Sequence, residues 1–273
     1  MEATPARTWT AAGSARHVTR RIMARYPAVY LPLSRRRQPQ STLAPDTQLL
    51  IDGFTRSAST FAVVAFQLAQ NGHVRVAHHL HAPAHLLAAT RAEVPTLMPI
   101  RPPRDTVLSA AIREPTVSIA QWLRSYADFY RRVEPVLDRI VVATFESVTT
   151  DMGGLIDRVN ERFATSFVRF EDSGENAERV FEIIEERARR PAWQHLLGEF
   201  LSGGLSWDEY QRETEAIRAS SPAPEVPESR VQRPSASREQ AKGALSALYD
   251  SEALDTARRA AEHAYESAAR VAR

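Results

Sequence analysis

The sequence predicts an α/β fold: a three-layer arrangement with a central, mainly parallel sheet and further helices toward the C-terminal end. Three observations predict it. Short apolar runs bounded by turn-formers alternate with helix-length segments from Gln48 to Ile112. A long amphipathic helix follows, and another strand and helix continue the series. Such alternation favours parallel strands joined by crossover helices. At 273 residues the chain fits one large domain. We place it at 47–273, behind a basic N-terminal arm at 1–46.

The first strand is read from Gln48 to Phe54, an apolar run that ends in Asp52, Gly53 and Phe54. A hydroxyl-rich turn follows, then an apolar helix from Phe61 to Gln70 that Asn71 and Gly72 stop. The second pair is a strand at Val74–His78 and a helix at Pro83–Arg91, and the third a strand at Pro95–Ile100 and a helix at Asp105–Ile112. From Val117 to Leu137 the helical period puts Ile119, Trp122, Leu123, Tyr126, Phe129, Tyr130 and Val133 on one stripe. A stripe of this kind builds a core more often than a ligand pocket, although Trp122, Tyr126 and Tyr130 could line one. A strand at Arg139–Phe145 and a helix at Asp151–Phe163 complete the pattern. Beyond it, Asn176–Leu201 reads as charged helix. The segment 219–237 contains Pro222, Pro224, Pro227 and Pro234 and reads as a long irregular loop before C-terminal helices.

Composition removes several classes of function. With no cysteine, disulfide scaffolds, zinc ribbons, iron–sulfur centres and thiol nucleophiles drop out. A net charge of +2 argues against nucleic-acid binding through bulk positive charge, so any anion specificity is local. The absence of a signal-peptide core or a run long enough to span a bilayer points to a cytoplasmic protein. The basic and apolar residues between Arg16 and Arg37 would also suit peripheral contact with the inner face of an anionic membrane. Packing of this arm on the domain is the plainer expectation. Of the 35 basic residues only Lys242 is a lysine.

Two segments carry the chemistry. Thr55, Arg56, Ser57, Ala58, Ser59, Thr60 and Phe61 lie between a strand and a helix, where backbone N–H groups and the positive end of the helix dipole converge on one concavity. Hydroxyls and a cation there suit an anion such as phosphate, although Ser57, Ser59 and Thr60 could equally cap the helix. The segment lacks the second glycine and the lysine of a Walker A loop. The second segment runs from Arg101 to Ser109, with an arginine ending a strand and a serine in the next helix.

Together these segments resemble the sulfotransferases that use 3′-phosphoadenosine-5′-phosphosulfate, a family with a P-loop-like fold. The resemblance lies in the [KR]-S-G-[ST]-[ST]-[WFL] part of the family's strand–loop–helix pattern at Arg56–Phe61, with Thr55 just before it, and an R-[DNP]-P-[KR]-D-x-x-x-S pattern at Arg101–Ser109, in the family's order. It implies that Arg56 contacts the sulfate and that Thr55, Ser57, Ala58, Ser59 and Thr60 surround the 5′-phosphate. It places Phe61 near the adenine and Arg101 and Ser109 at the 3′-phosphate. Phe145, which begins a segment similar to the family's [YF]-E-D-L, would also lie near the adenine. Arg233, Ser235 and Arg238, in the proline-rich loop, would close over the 3′-phosphate. Ala58 departs from the usual glycine and Arg56 from the usual lysine, a change of cation shape as well as size.

Five of the eight histidines, His73, His78, His79, His81 and His85, fall within thirteen residues. Imidazoles there could bind metal, act as a general base or simply meet backbone and solvent at a strand end. The resemblance implies the second role. Ala77, His78, His79 and Leu80 align with the family's K-T-H-L-P-like segment, which makes His79 the expected catalytic base and His81 the alternate. Ala77 stands where the family has a lysine.

The function expected is therefore transfer of a sulfuryl group, without a metal, to a hydroxyl or amine on a carbohydrate, glycolipid or small metabolite. Two other classes remain: a P-loop kinase or other nucleotide-binding protein, and a catalytically silent, membrane-associated adaptor of the same fold.

Overall fold

The computed structural model describes residues 11–189, 194–220 and 236–272. Its centre is a four-stranded parallel sheet of β1 (Leu49–Ile51), β2 (Val76–His78), β3 (Thr96–Ile100) and β4 (Val141–Thr144), in the order β2-β1-β3-β4. Leu50 pairs with Ala77 on one side and with Thr96 on the other, and Met98 pairs with Val142. All but Thr144 of these strand residues are buried, as expected for strands covered on both faces.

The strands are shorter than the sequence predicts. Asp52, Gly53 and Phe54 leave the sheet, because the Asp52 carboxylate turns to receive backbone N–H groups from the segment after β2. Phe145 is not the last residue of β4 but the first of a short helix, α7 (Phe145–Thr150), capped by Thr144, whose side chain accepts from Ser147 N–H at 3.1 Å.

Helices cover both faces. On one lies α3 (Ser59–Ala69) with α8 (Met152–Phe163), α9 (Gly174–Arg189) and α10 (Gln194–Ser202). On the other lie α4 (Pro83–Arg91), α5 (Pro103–Arg113), α6 (Ile119–Val133) and α13 (Asp255–Ala269). A reciprocal capping box between Ser118 and Gln121 starts α6. The expected helix to Leu137 ends at Val133, and Pro135 lies in a 3₁₀ turn at Glu134–Arg139. On α6, Leu123 and Tyr126 are buried, and α13 approaches closely through the small residues Ala261, Ala264 and Ala268.

The N-terminal arm is folded onto the domain as α1 (Ala11–Met23) and α2 (Pro27–Arg37). Arg25 pairs with Asp128 of α6 at 3.0 Å, and the Tyr30 hydroxyl donates to Leu80 C=O at 3.2 Å. Ile22, Tyr26 and Val29 remain exposed. Among the described residues no helix is long and apolar enough to cross a membrane. The expected irregular loop at 219–237 overlaps helix at both ends. Helix α11 (Trp207–Ser220) and helix α12 (Ala236–Tyr249) take its ends, and 221–235 lies outside the described residues.

Candidate functional site

The strand order fixes where a site can form. From β1 the chain crosses to β2 on one side, and from β2 it returns past β1 to β3. The segments leaving the carboxyl ends of β1 and β3 therefore diverge to opposite faces and leave a crevice between them, the usual ligand position in open α/β sheets. Both sequence motifs fall there. Gly53 makes the junction possible: a Cβ at this position would lie 2.4 Å from Pro99 C=O of β3.

Arg56 and Ala58 both have positive φ, 69° and 73°, whereas Ser57 between them does not. Alternation of this kind turns successive N–H groups toward one side and forms an anion-binding concavity. Helix α3 starts directly behind it. No side chain caps that helix, so the first-turn amides of Ser59, Thr60 and Phe61 point out of it uncapped. The Ser57 hydroxyl donates to Phe54 C=O at 2.7 Å and lies 3.4 Å from Ser59 Oγ, and both serines are buried. Their hydroxyls brace the turn, so their contribution to an anion would come from backbone N–H groups.

The two motifs meet through side chains. Arg56 Nε–H donates to Ser109 Oγ at 2.9 Å, and Arg101 Nη1–H donates to Arg56 C=O at 3.3 Å. Arg101 lies 4.1 Å over the Phe145 ring, and Tyr126 of α6 holds the Arg101 carbonyl with its hydroxyl at 2.7 Å. Arg56, Arg101, Ser109 and Phe145 thus form one cluster that brings the two motifs together at the crevice. Phe61, expected beside an adenine, is buried with its ring 5.4 Å from the Phe181 ring of α9. Arg233 and Ser235 lie outside the described residues, and Arg238 falls within α12.

The histidines separate into distinct roles. His79, the expected base, has Nε2 2.8 Å from Thr60 Oγ1 and Nδ1 2.7 Å from His78 Nδ1. Its ring is engaged with the loop. His81 is placed differently: its Nδ1 lies 2.9 Å from Gly53 C=O and 3.3 Å from Asp52. A carbonyl only accepts, so Nδ1 carries a proton and the neutral ring presents its lone pair at Nε2. His81 lines a cavity of about 130 Å³ together with Thr55, Phe54 and Trp122. Trp122 belongs to this wall, whereas Tyr126 and Tyr130 on the same stripe are core.

Asp52 organises this side and was not apparent from sequence. Fully buried, it accepts from Leu80 N–H at 3.1 Å, from His81 N–H at 3.1 Å and from His85 Nδ1–H at 2.8 Å. His85 is itself fixed, since its Nε2 accepts from Leu43 N–H at 3.2 Å. Burial raises the Asp52 carboxyl, but hydrogen bonds from His81 and His85 outweigh it and hold the group well below the usual carboxylate range. The available signal was an acid closing an apolar strand. His73 goes elsewhere, 3.1 Å from Gly203 C=O.

No protein-family model matches the chain, and no curated protein does. The geometry itself offers three parts: an anion cradle at α3, a cationic cluster beside it, and a cavity whose wall holds an oriented imidazole. These are the parts needed to hold a charged group at one end and to remove a proton from a second molecule at the other.

Proposed function

We propose that the protein transfers a sulfuryl group from 3′-phosphoadenosine-5′-phosphosulfate to an acceptor hydroxyl or amine in the cavity beside His81. The observation that carries this reading is the contact between Arg56 and Ser109, which joins the two motifs at one crevice. The donor supplies an activated sulfur whose bond to the 5′-phosphate oxygen breaks as the acceptor oxygen or nitrogen attacks. The amides of Ser59 and Thr60 and the Arg56 guanidinium face the charge that grows on that leaving oxygen, the kind of preorganised stabilisation that often dominates catalysis. Arg101 and Ser109 hold the 3′-phosphate, and Phe145 braces Arg101. His81 Nε2 takes the acceptor proton, and Asp52 steadies the imidazolium from behind. His79, bonded to Thr60, positions the loop.

Calorimetric titration tests the reading. The protein should bind adenosine 3′,5′-bisphosphate without magnesium, and Arg101→Ala should weaken it by about tenfold or more, the scale of a lost hydrogen bond to a charged group. Adenosine 5′-monophosphate should lose far less. Magnesium-dependent ATP binding, with no preference for the 3′-phosphate, would instead support a kinase-like nucleotide site and remove this assignment.

A further inference from the structure

The cavity beside His81 has a distinctive second wall. Helix α1 supplies Arg20 and Arg21, and α6 supplies Trp122, Asp128 and Phe129. Asp128 is already committed: Arg25 pairs with it at 3.0 Å and Arg132 at 3.4 Å. Neither Arg20 nor Arg21 makes an ion pair among the described residues, and Arg21 Nε is buried without a hydrogen-bond partner there. The indole N–H of Trp122, in a side chain only 5% exposed, is buried and likewise lacks a partner among the described residues. Buried donors in native proteins are normally met by water, an ion or a ligand, so these two offer hydrogen bonds to a guest in the cavity.

The surplus is positive. Burial pushes the Arg21 guanidinium down, Asp128 opposes this, and the cations Arg25, Arg124 and Arg131 push it further down. Asp128, already paired with Arg25, and Glu114 are the carboxylates of the lining, set against Arg20 and Arg21 there and Arg25, Arg124 and Arg131 around Arg21, so the balance favours a guest that brings negative charge. The aromatic side chains of Phe54, Trp122 and Phe129 offer flat apolar contact between this basic wall and His81. The volume of about 130 Å³ is close to the roughly 150 Å³ of a cavity that takes up benzene, the scale of a single ring.

We propose that this cavity selects a small, flat, hydroxyl-bearing acceptor that carries an anionic group, with Arg20 and Arg21 of the N-terminal arm holding the anion and His81 facing the hydroxyl. The proposal names the acceptor class for the sulfuryl-transfer reading and rests on that reading for the role of the hydroxyl. It also makes α1 a determinant of specificity.

The test is calorimetry on the full chain with two probes, 4-hydroxyphenylacetate and its uncharged amide. The acid should bind about tenfold or more tightly than the amide, as expected when a charge-assisted contact is gained. In an Arg20→Gln, Arg21→Gln double variant that preference should fall to near unity, with the amide unaffected. The corresponding Arg→Lys double variant should keep part of the preference. Equal binding of the two probes, no binding of the acid at millimolar concentration, or a preference that survives both glutamines would each overturn the proposal. Selective binding of the acid in a protein that fails to bind adenosine 3′,5′-bisphosphate would leave this anion site standing while removing the sulfuryl-transfer reading.

Discussion

Arg56 and Ser109, 53 residues apart in the chain, touch: the guanidinium Nε–H donates to the serine hydroxyl at 2.9 Å. The contact links the turn after β1 to the helix after β3, two segments that leave the sheet toward opposite faces. A charged group bound there would feel both.

Coupling between these two residues is measurable. Arg56→Ala and Ser109→Ala should each weaken binding of adenosine 3′,5′-bisphosphate, and the double variant should lose less than the sum. For side chains in contact the interaction energy expected is about 0.5–3 kcal/mol. Strict additivity by calorimetry would mean that the contact is irrelevant to the ligand.

Asp52 and His81 should separate stability from turnover. Asp52→Asn leaves His81, His85 and backbone donors facing an amide with a single acceptor oxygen, so denaturant unfolding should show a loss of about 3–5 kcal/mol, the scale for breaking a buried charged cluster. His81→Gln removes one side-chain partner of Asp52 but leaves its backbone donors and His85, so it should destabilise the fold clearly less than Asp52→Asn does. Its kcat for sulfate transfer should nevertheless collapse. His79→Gln should raise the donor KM more than it lowers kcat, because His79 contacts Thr60 and not the cavity.

The loop conformation also carries a stability prediction. Ala58 is held at φ 73°, a left-handed conformation that costs about 1–2 kcal/mol for a residue with a Cβ. Ala58→Gly removes that strain but adds about 0.4–1 kcal/mol of unfolded-state entropy to lose. The net expectation is a gain of about 0.5–1 kcal/mol, visible as a higher denaturant midpoint. A lower midpoint would contradict it.

Acid should loosen the N-terminal arm. His17 of α1 lies 2.8 Å from Ser125 Oγ and 4.7 Å from the Trp122 ring. Burial, then Arg21 and Arg20, lower its pKa from 6.5 to about 4. Between those values the unfolded chain binds the proton and the folded one does not. Stability is therefore fully present above about pH 6.5 and declines as pH falls toward 4. Hydrogen-exchange protection of α1, corrected for the intrinsic pH dependence of amide exchange, should fall through this window, and His17→Gln should flatten the profile. An unchanged slope in that variant would exclude His17 as the cause.

Much of the fold was legible because its signals are local. The apolar runs at β1, β3 and β4, the helical stripe of α6 and the hydroxyl-rich turn before α3 are written in consecutive residues. Strand ends were not legible, since Asp52 leaves the sheet for partners at Leu80 and His81 that sequence does not place beside it. Nor does the sequence place Phe61 beside Phe181 of α9, a neighbour distant along the chain.

What the sequence by itself determined is the alternation of strands and helices and the residue types available at the crevice between β1 and β3, because periodicity and turn chemistry act over a few neighbouring residues. Only the tertiary structure decided which histidine faces the cavity, that Asp52 orients it, and that α1 supplies arginines to its wall. Those choices depend on positive-φ turns at His79 and His81 and on the packing of distant elements. Contacts of that kind exist only once the chain has closed on itself.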